Sequence, residues 1–152
     1  MPLRLRSDPP VTRLTRRAFW RRFGRLEHER LEFKASANHV LASIVAMAMT
    51  DGGTILVGVT DDRRLVGCSP LQPTLDRLGA IAYETEVDLA VSLVVVGRAV
   101  VVCVDVPAIR DRVVTTPDGR VLRRIGSANH PVRGDAVARF VRARDALGSG
   151  VG

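Results

Sequence analysis

A few charged residues stand out for the chemistry that their types allow. Glu27, Glu32 and the adjacent Asp61-Asp62 are carboxylates spaced widely enough to come from different elements, and Lys34 is the single lysine among 22 arginines. Carboxylates brought together repel and raise one another's pKa unless a cation lies among them. Mg²⁺ or Mn²⁺ accepts such hard oxygen ligands and can activate water for attack on a phosphodiester. Lys34 would stabilise charge developing on a phosphate, or would simply pair with a neighbouring acid. Surface acids are abundant and Asp-Asp is ordinary turn chemistry, so spacing alone leaves a structural role open. Other templates are missing: there is no phosphate loop of the G-x-x-x-x-G-K-[ST] type and no G-x-S-x-G elbow. His28, His39 and His130 lack zinc spacing.

Two strands must position these acids. Arg30 to Lys34 alternates polar and apolar residues, which predicts a strand with Leu31 and Phe33 inward and Glu32 and Lys34 on a wet face. Thr54 to Val59 is β-rich and ends just before Asp61. If the two strands pair, three acids converge on one sheet edge. Between them, Val40 to Thr50 reads as a buried helix capped by Ser36 or Asn38 and broken at Asp51-Gly52-Gly53, a turn needing positive φ. Upstream, Phe19, Phe23 and Leu26 recur at helical spacing among arginines, predicting a basic amphipathic helix from Thr15, its N-cap, to about Leu26.

Downstream, Thr74 to Tyr83 predicts a second core helix. Asp88 to Val96 and Ala99 to Val106 form a valine-rich hairpin turning at Gly97-Arg98. Val113 to Thr116 and Gly119 to Ile125 predict another hairpin around Pro117-Asp118-Gly119, and Asp135 to about Ala146 a last helix. The fold class is therefore α+β, a mixed sheet packed with helices. Residues 1–14 read as a flexible basic arm, 15–147 as one domain, and 148–152 as a disordered tail.

With 152 residues, 46% hydrophobic and 26% charged, the chain has the composition of one globular domain able to bury its own core. Cys68 and Cys103 stand alone, which excludes a disulfide scaffold and points to the cytoplasm. Leu89 to Val104 is interrupted at Gly97-Arg98 and too short to span a membrane. Residues 1–25 hold eight arginines and one acid, which accounts for the whole net charge of +7, because residues 26–152 carry 15 basic and 15 acidic groups. Such a basic end on a neutral body attracts polyanions, nucleic acid before an acidic membrane surface. Arg13, Arg16, Arg17, Arg21, Arg22 and Arg25 would hold backbone phosphate without reading sequence, and Trp20 would offer a ring for an unpaired base. Arg123 and Arg124, beside Gly126, are further phosphate candidates, against a plain solvated strand face.

The order of motifs adds a resemblance. Glu27, then Glu32-Phe33-Lys34, then Thr50-Asp51-Gly52-Gly53-Thr54, then Val57-Gly58-Val59-Thr60-Asp61-Asp62 and Val66-Gly67, resembles the Schlafen AlbA_2 domain. Arg124-Ile125-Gly126-Ser127-Ala128-Asn129 resembles that family's closing R-x-G-S-x-N segment. The resemblance implies a nucleic-acid-binding domain. Its Schlafen members include metal-dependent endoribonucleases acting on structured RNA such as tRNA. By that resemblance Glu27, Glu32 and Asp61 would be the ligands of Mg²⁺ or Mn²⁺, with Lys34 beside them. Met49 stands where the family has Asn, and Thr60 where it often has an acid. Schlafen nucleases build a groove from two such lobes, so a homodimer would restore the second. RNA is the favoured partner, with DNA the other candidate. The alternatives are a non-catalytic regulatory module binding DNA or RNA, and a protein-interaction subunit.

Overall fold

The computed structural model describes residues 8–149. The elements run β1 (Val11–Arg13), α1 (Arg16–Phe23), β2 (Leu31–Lys34), α2 (Leu41–Ala48), β3 (Gly53–Val57), α3 (Gln72–Thr85), β4 (Ala90–Val96), β5 (Ala99–Val106), β6 (Leu122–Ile125), β7 (Ala128–Pro131) and α4 (Asp135–Ser149). Five strands form one mixed sheet in the order β1-β4-β5-β3-β2, and β6 and β7 form a separate hairpin. β2 runs parallel to β3 and β1 parallel to β4, while β5 is antiparallel to both its neighbours. This is the α+β arrangement expected from the sequence.

Alternation along the strands divides the core in two. Ile55, Val57, Val91, Leu93, Val102 and Val104 pack on one face against Ile44, Val45 and Met47 of α2 and Leu78 and Ile81 of α3. Leu31, Phe33, Leu56, Val94, Val101 and Cys103 face the other way, onto Phe19 and Trp20 of α1. α2 has almost no polar face because everything from Ser43 to Met49 is buried. Its exit is tight. A Cβ on Gly52, at φ +70°, would come within 2.6 Å of the Val106 carbonyl, and one on Gly53 within 2.9 Å of the Arg30 backbone. Only glycine lets β3 run this close to β2 and β5.

The structure departs from the sequence expectations at several places. α1 ends at Phe23, so Leu26 lies beyond it and is exposed, and α2 starts after Val40 with no side-chain cap, Ser36 capping the short turn before it instead. Val11–Arg13, assigned to the flexible arm, form the edge strand beside β4, where Pro10 O and Leu14 N–H extend the pairing. Three residues are too few for a strand period to show. The turn at Pro117–Gly119 forms, with Gly119 N–H on Thr116 O, but opens no ladder; β6 instead pairs with β7 around Gly126-Ser127. α4 continues to Ser149, two residues into the expected tail. Residues 1–7 of the arm and 150–152 of the tail lie outside the described residues.

Candidate nucleic-acid interface and acid-lined cavity

Helix α1 is built to be buried on one side and basic on the other. The Thr15 hydroxyl accepts from Ala18 N–H and starts it, and Gly24, at φ +87°, ends it. Phe19 and Trp20 enter the core, with Trp20 edge-on to both Phe19 and Phe33. Outside, Arg16, Arg17, Arg21 and Arg25 surround a shallow depression of about 520 Å³ floored by Trp20. Arg22 lies over the Phe23 ring. These residues and Arg13 are exposed, and among the described residues none of the six joins an ion pair. Their charge is thus left for a partner. The expectation that Trp20 offers a ring to a base does not hold: it is 6% exposed, and the Arg25 guanidinium sits over its ring at 5.4 Å.

Pairing of β2 with β3 brings the predicted acids together. Glu27 lies ahead of β2 and Asp61 just past β3, and both line one open cavity of about 500 Å³ with Glu32, Lys34, Ser36, His39 and Thr60. Glu27 is fixed by its own strand, Oε1 accepting the Phe33 N–H at 2.8 Å. Asp62 turns aside. The Thr60 hydroxyl donates to its carboxylate and Arg64 Nε approaches at 3.1 Å, and these hold its pKa below the ordinary aspartate value. Asp61 is therefore the cavity acid of the pair.

Glu32 does not lie on a wet face. α2 and the β6–β7 hairpin cover it, and it is 7% exposed. Its Oε2 accepts from the Ser43 hydroxyl at 3.1 Å and is ion-paired with Arg124 Nη1. Arg124 Nη1 also donates to Asn129 Oδ1 at 2.9 Å, and Asn129 Nδ2 donates to Ser43 Oγ at 3.1 Å. Four side chains thus close a buried ring. Arg124 and Asn129 reach it together because they are paired opposite each other in the hairpin. Lys34 Nζ stands 3.5 Å from Glu32 Oε1 at the cavity side.

Arg124 is consequently not a phosphate contact. It is 2% exposed and spends its guanidinium on Glu32, Asn129 and the His28 carbonyl, leaving only Nε without a partner. Arg123, its neighbour, points out and is exposed. The donor set of Glu27, Glu32 and Asp61 has the hard oxygens that Mg²⁺ or Mn²⁺ needs. Among the described residues, however, no three acidic, histidine or cysteine side chains stand close enough together to hold a metal ion. Glu32 already has its cation in Arg124. As placed, these residues do not form a divalent-metal site.

Sequence reasoning missed several participants. His39 lines the cavity from the short 3₁₀ turn Ala37–His39, which Ser36 caps. Met49 Sδ accepts the Val114 N–H at 3.1 Å, tying the end of α2 to a loop. Arg63 Nε donates to Arg25 O at 2.6 Å and its Nη1 to Asp61 O at 2.8 Å, bridging the exit of α1 to the acid-bearing turn. No local signal marks Arg63, because its role depends on the turn lying under α1.

Comparison with known proteins agrees with this architecture. The family described as Schlafen, AlbA_2 matches residues 27–133, from the first cavity acid to just past β7. No curated protein matches the chain. The crystal structure of the DIP2311 protein from Corynebacterium diphtheriae shares the fold, with a TM-score of 0.58 at 20% identity. The match covers 68% of this chain and 25% of that one, so the matched part spans about a quarter of that chain's length. No helix among the described residues is long and apolar enough to cross a membrane. The paired β2 and β3 with their flanking acids, and the buried Arg124–Asn129 hairpin that closes on them, all lie within the matched span, and the chain belongs to the Schlafen AlbA_2 family.

Proposed function

We propose that this domain binds nucleic acid through backbone phosphates, structured RNA in preference to DNA, without reading sequence. The carrying observation is the outer face of α1 with Arg13, six exposed arginines that no described acid neutralises. Family membership supports the same reading.

Phosphodiester cleavage is a second reading, favoured by the gathering of Glu27, Glu32, Asp61 and Lys34 around one cavity. It requires Glu32 to part from Arg124, and a second copy of the chain would supply the other wall of a groove. Incubation of a tRNA pool with the protein, in Mn²⁺ or EDTA and beside Asp61→Asn, which changes an exposed cavity acid and leaves the buried Glu32–Arg124 pair intact, separates the two. Shifted, intact tRNA in every lane supports binding alone. Metal-dependent cleavage that the variant loses would establish the nuclease.

A further inference from the structure

Arg63 combines two features that ordinary turn residues lack. Its backbone is left-handed, at φ +64°, a conformation that any side chain with a Cβ adopts at a cost. Its side chain is also committed, crossing from the turn after β3 to the carbonyl of Arg25. A strained position that persists is a pointer to function when the surroundings hold it in place. Here two hydrogen bonds to carbonyls do so.

The chemistry of the guanidinium says what it has left. Of five N–H donors, Nε is spent on Arg25 O and one Nη1 hydrogen on Asp61 O. Three donors remain. No described carboxylate pairs with Arg63, since the adjacent Asp62 is taken by Arg64. Carbonyl partners fix a guanidinium without cancelling its charge. Its place is also particular. Arg25 lines the depression on α1 and Asp61 lines the acid-lined cavity, so Arg63, bonded to the carbonyls of both, lies between a residue of one and a residue of the other.

We propose that Arg63 is a phosphate-binding residue that carries the polyanion track from α1 to the mouth of the acid-lined cavity. In the same posture it holds the turn bearing Asp61 against the exit of α1. A phosphate backbone lying along α1 would meet a seventh arginine there, pre-oriented by its two carbonyl bonds. The proposal rests on nucleic-acid binding at α1. It adds a contact outside the basic N-terminal segment and gives the bound strand a direction, toward the acids.

The test is the salt dependence of binding to a fluorescein-labelled tRNA pool, followed by anisotropy. It compares the wild-type protein, Arg63→Gly, Arg63→Lys, and a variant with Arg16, Arg17, Arg21 and Arg25 changed to Gln. Glycine is at ease at a positive φ, so Arg63→Gly keeps the turn, which circular dichroism checks. Loss of one phosphate contact lowers the slope of log K against log salt by about 0.7–0.9. A fourfold rise in salt then weakens Arg63→Gly roughly threefold less than wild type. Arg63→Lys keeps the wild-type slope. If Arg63→Gly keeps the slope while the α1 variant loses it, Arg63 is a turn residue only and the proposal is wrong. If wild type shows no salt-dependent binding, the α1 reading falls and takes the Arg63 contact with it.

Discussion

Glu32 and Arg124, 92 residues apart in sequence, are joined as a buried ion pair at the base of the acid-lined cavity. Each is where the other needs it: a carboxylate this enclosed would be costly without a cation, and the guanidinium pairs with no other described carboxylate. Breaking such a pair from one side strands a buried charge. Arg124→Ala should therefore destabilise the domain by about 3–5 kcal/mol in urea unfolding. Glu32→Gln should cost a similar amount, and the double variant clearly less than the sum of the two. Single losses below about 1 kcal/mol would mean that the pair is solvated in solution.

Arg144 does comparable work for α4. Its guanidinium donates to Met49 O at 2.7 Å and to Ile109 O, and stacks over Phe140 at 5.1 Å. The Met49 carbonyl is at the C-terminal end of α2, where a cation also meets the negative end of the helix dipole. Arg144→Ala should cost about 2–3 kcal/mol and raise amide hydrogen exchange along α4 well above that of the sheet. Uniform exchange in the variant would show that α4 is held by its apolar contacts instead.

Cys103 gives the stability a measurable pH dependence. Burial first, and the nearby Asp105 charge second, push its thiol up from 9.0 to about 11. The fold favours the neutral thiol. Its contribution is complete below about pH 9 and is lost as pH rises through about 11. Between about pH 9 and about pH 11, wild type should lose stability more steeply than Cys103→Ala. Parallel profiles would show that the thiol is not buried as described.

Trp20 is the chain's single tryptophan and reports on the interface directly. Packed on Phe19 and Phe33 and covered by Arg25, it should emit to the blue, resist acrylamide, and keep its intensity when RNA binds. Strong quenching by RNA would mean that a base reaches the ring.

The two strands that carry Glu27, Glu32 and Asp61 are legible in the sequence because local signals mark them, whereas their pairing is only a condition there, supported by the resemblance and not by spacing. The signals are the alternation at Leu31–Lys34, a β-rich run at Thr54–Val59 and the glycines between them. The Thr15 cap and the Phe19 stripe are legible for the same reason. What these acids face is not. Period-2 alternation shows that Glu32 opposes Leu31 and Phe33, but whether that side is wet depends on a hairpin about 90 residues later. Local signals place that hairpin one turn too early, because Pro117-Asp118-Gly119 is a stronger turn sequence than Gly126-Ser127. Once Arg124 faces Asn129 across the correct turn, Glu32 is covered. Trp20 escapes in a similar way: a tryptophan among arginines looks exposed until Phe33 is known to lie beneath it.

Phosphate binding by α1 is tested most simply by the salt dependence of tRNA binding by the wild-type protein and by a variant with Arg16, Arg17, Arg21 and Arg25 replaced by glutamine. If these arginines hold backbone phosphates, wild-type affinity falls steeply with salt and the slope drops by about 3 in the variant. An affinity that hardly responds to salt, or a variant that binds as wild type does, would contradict it.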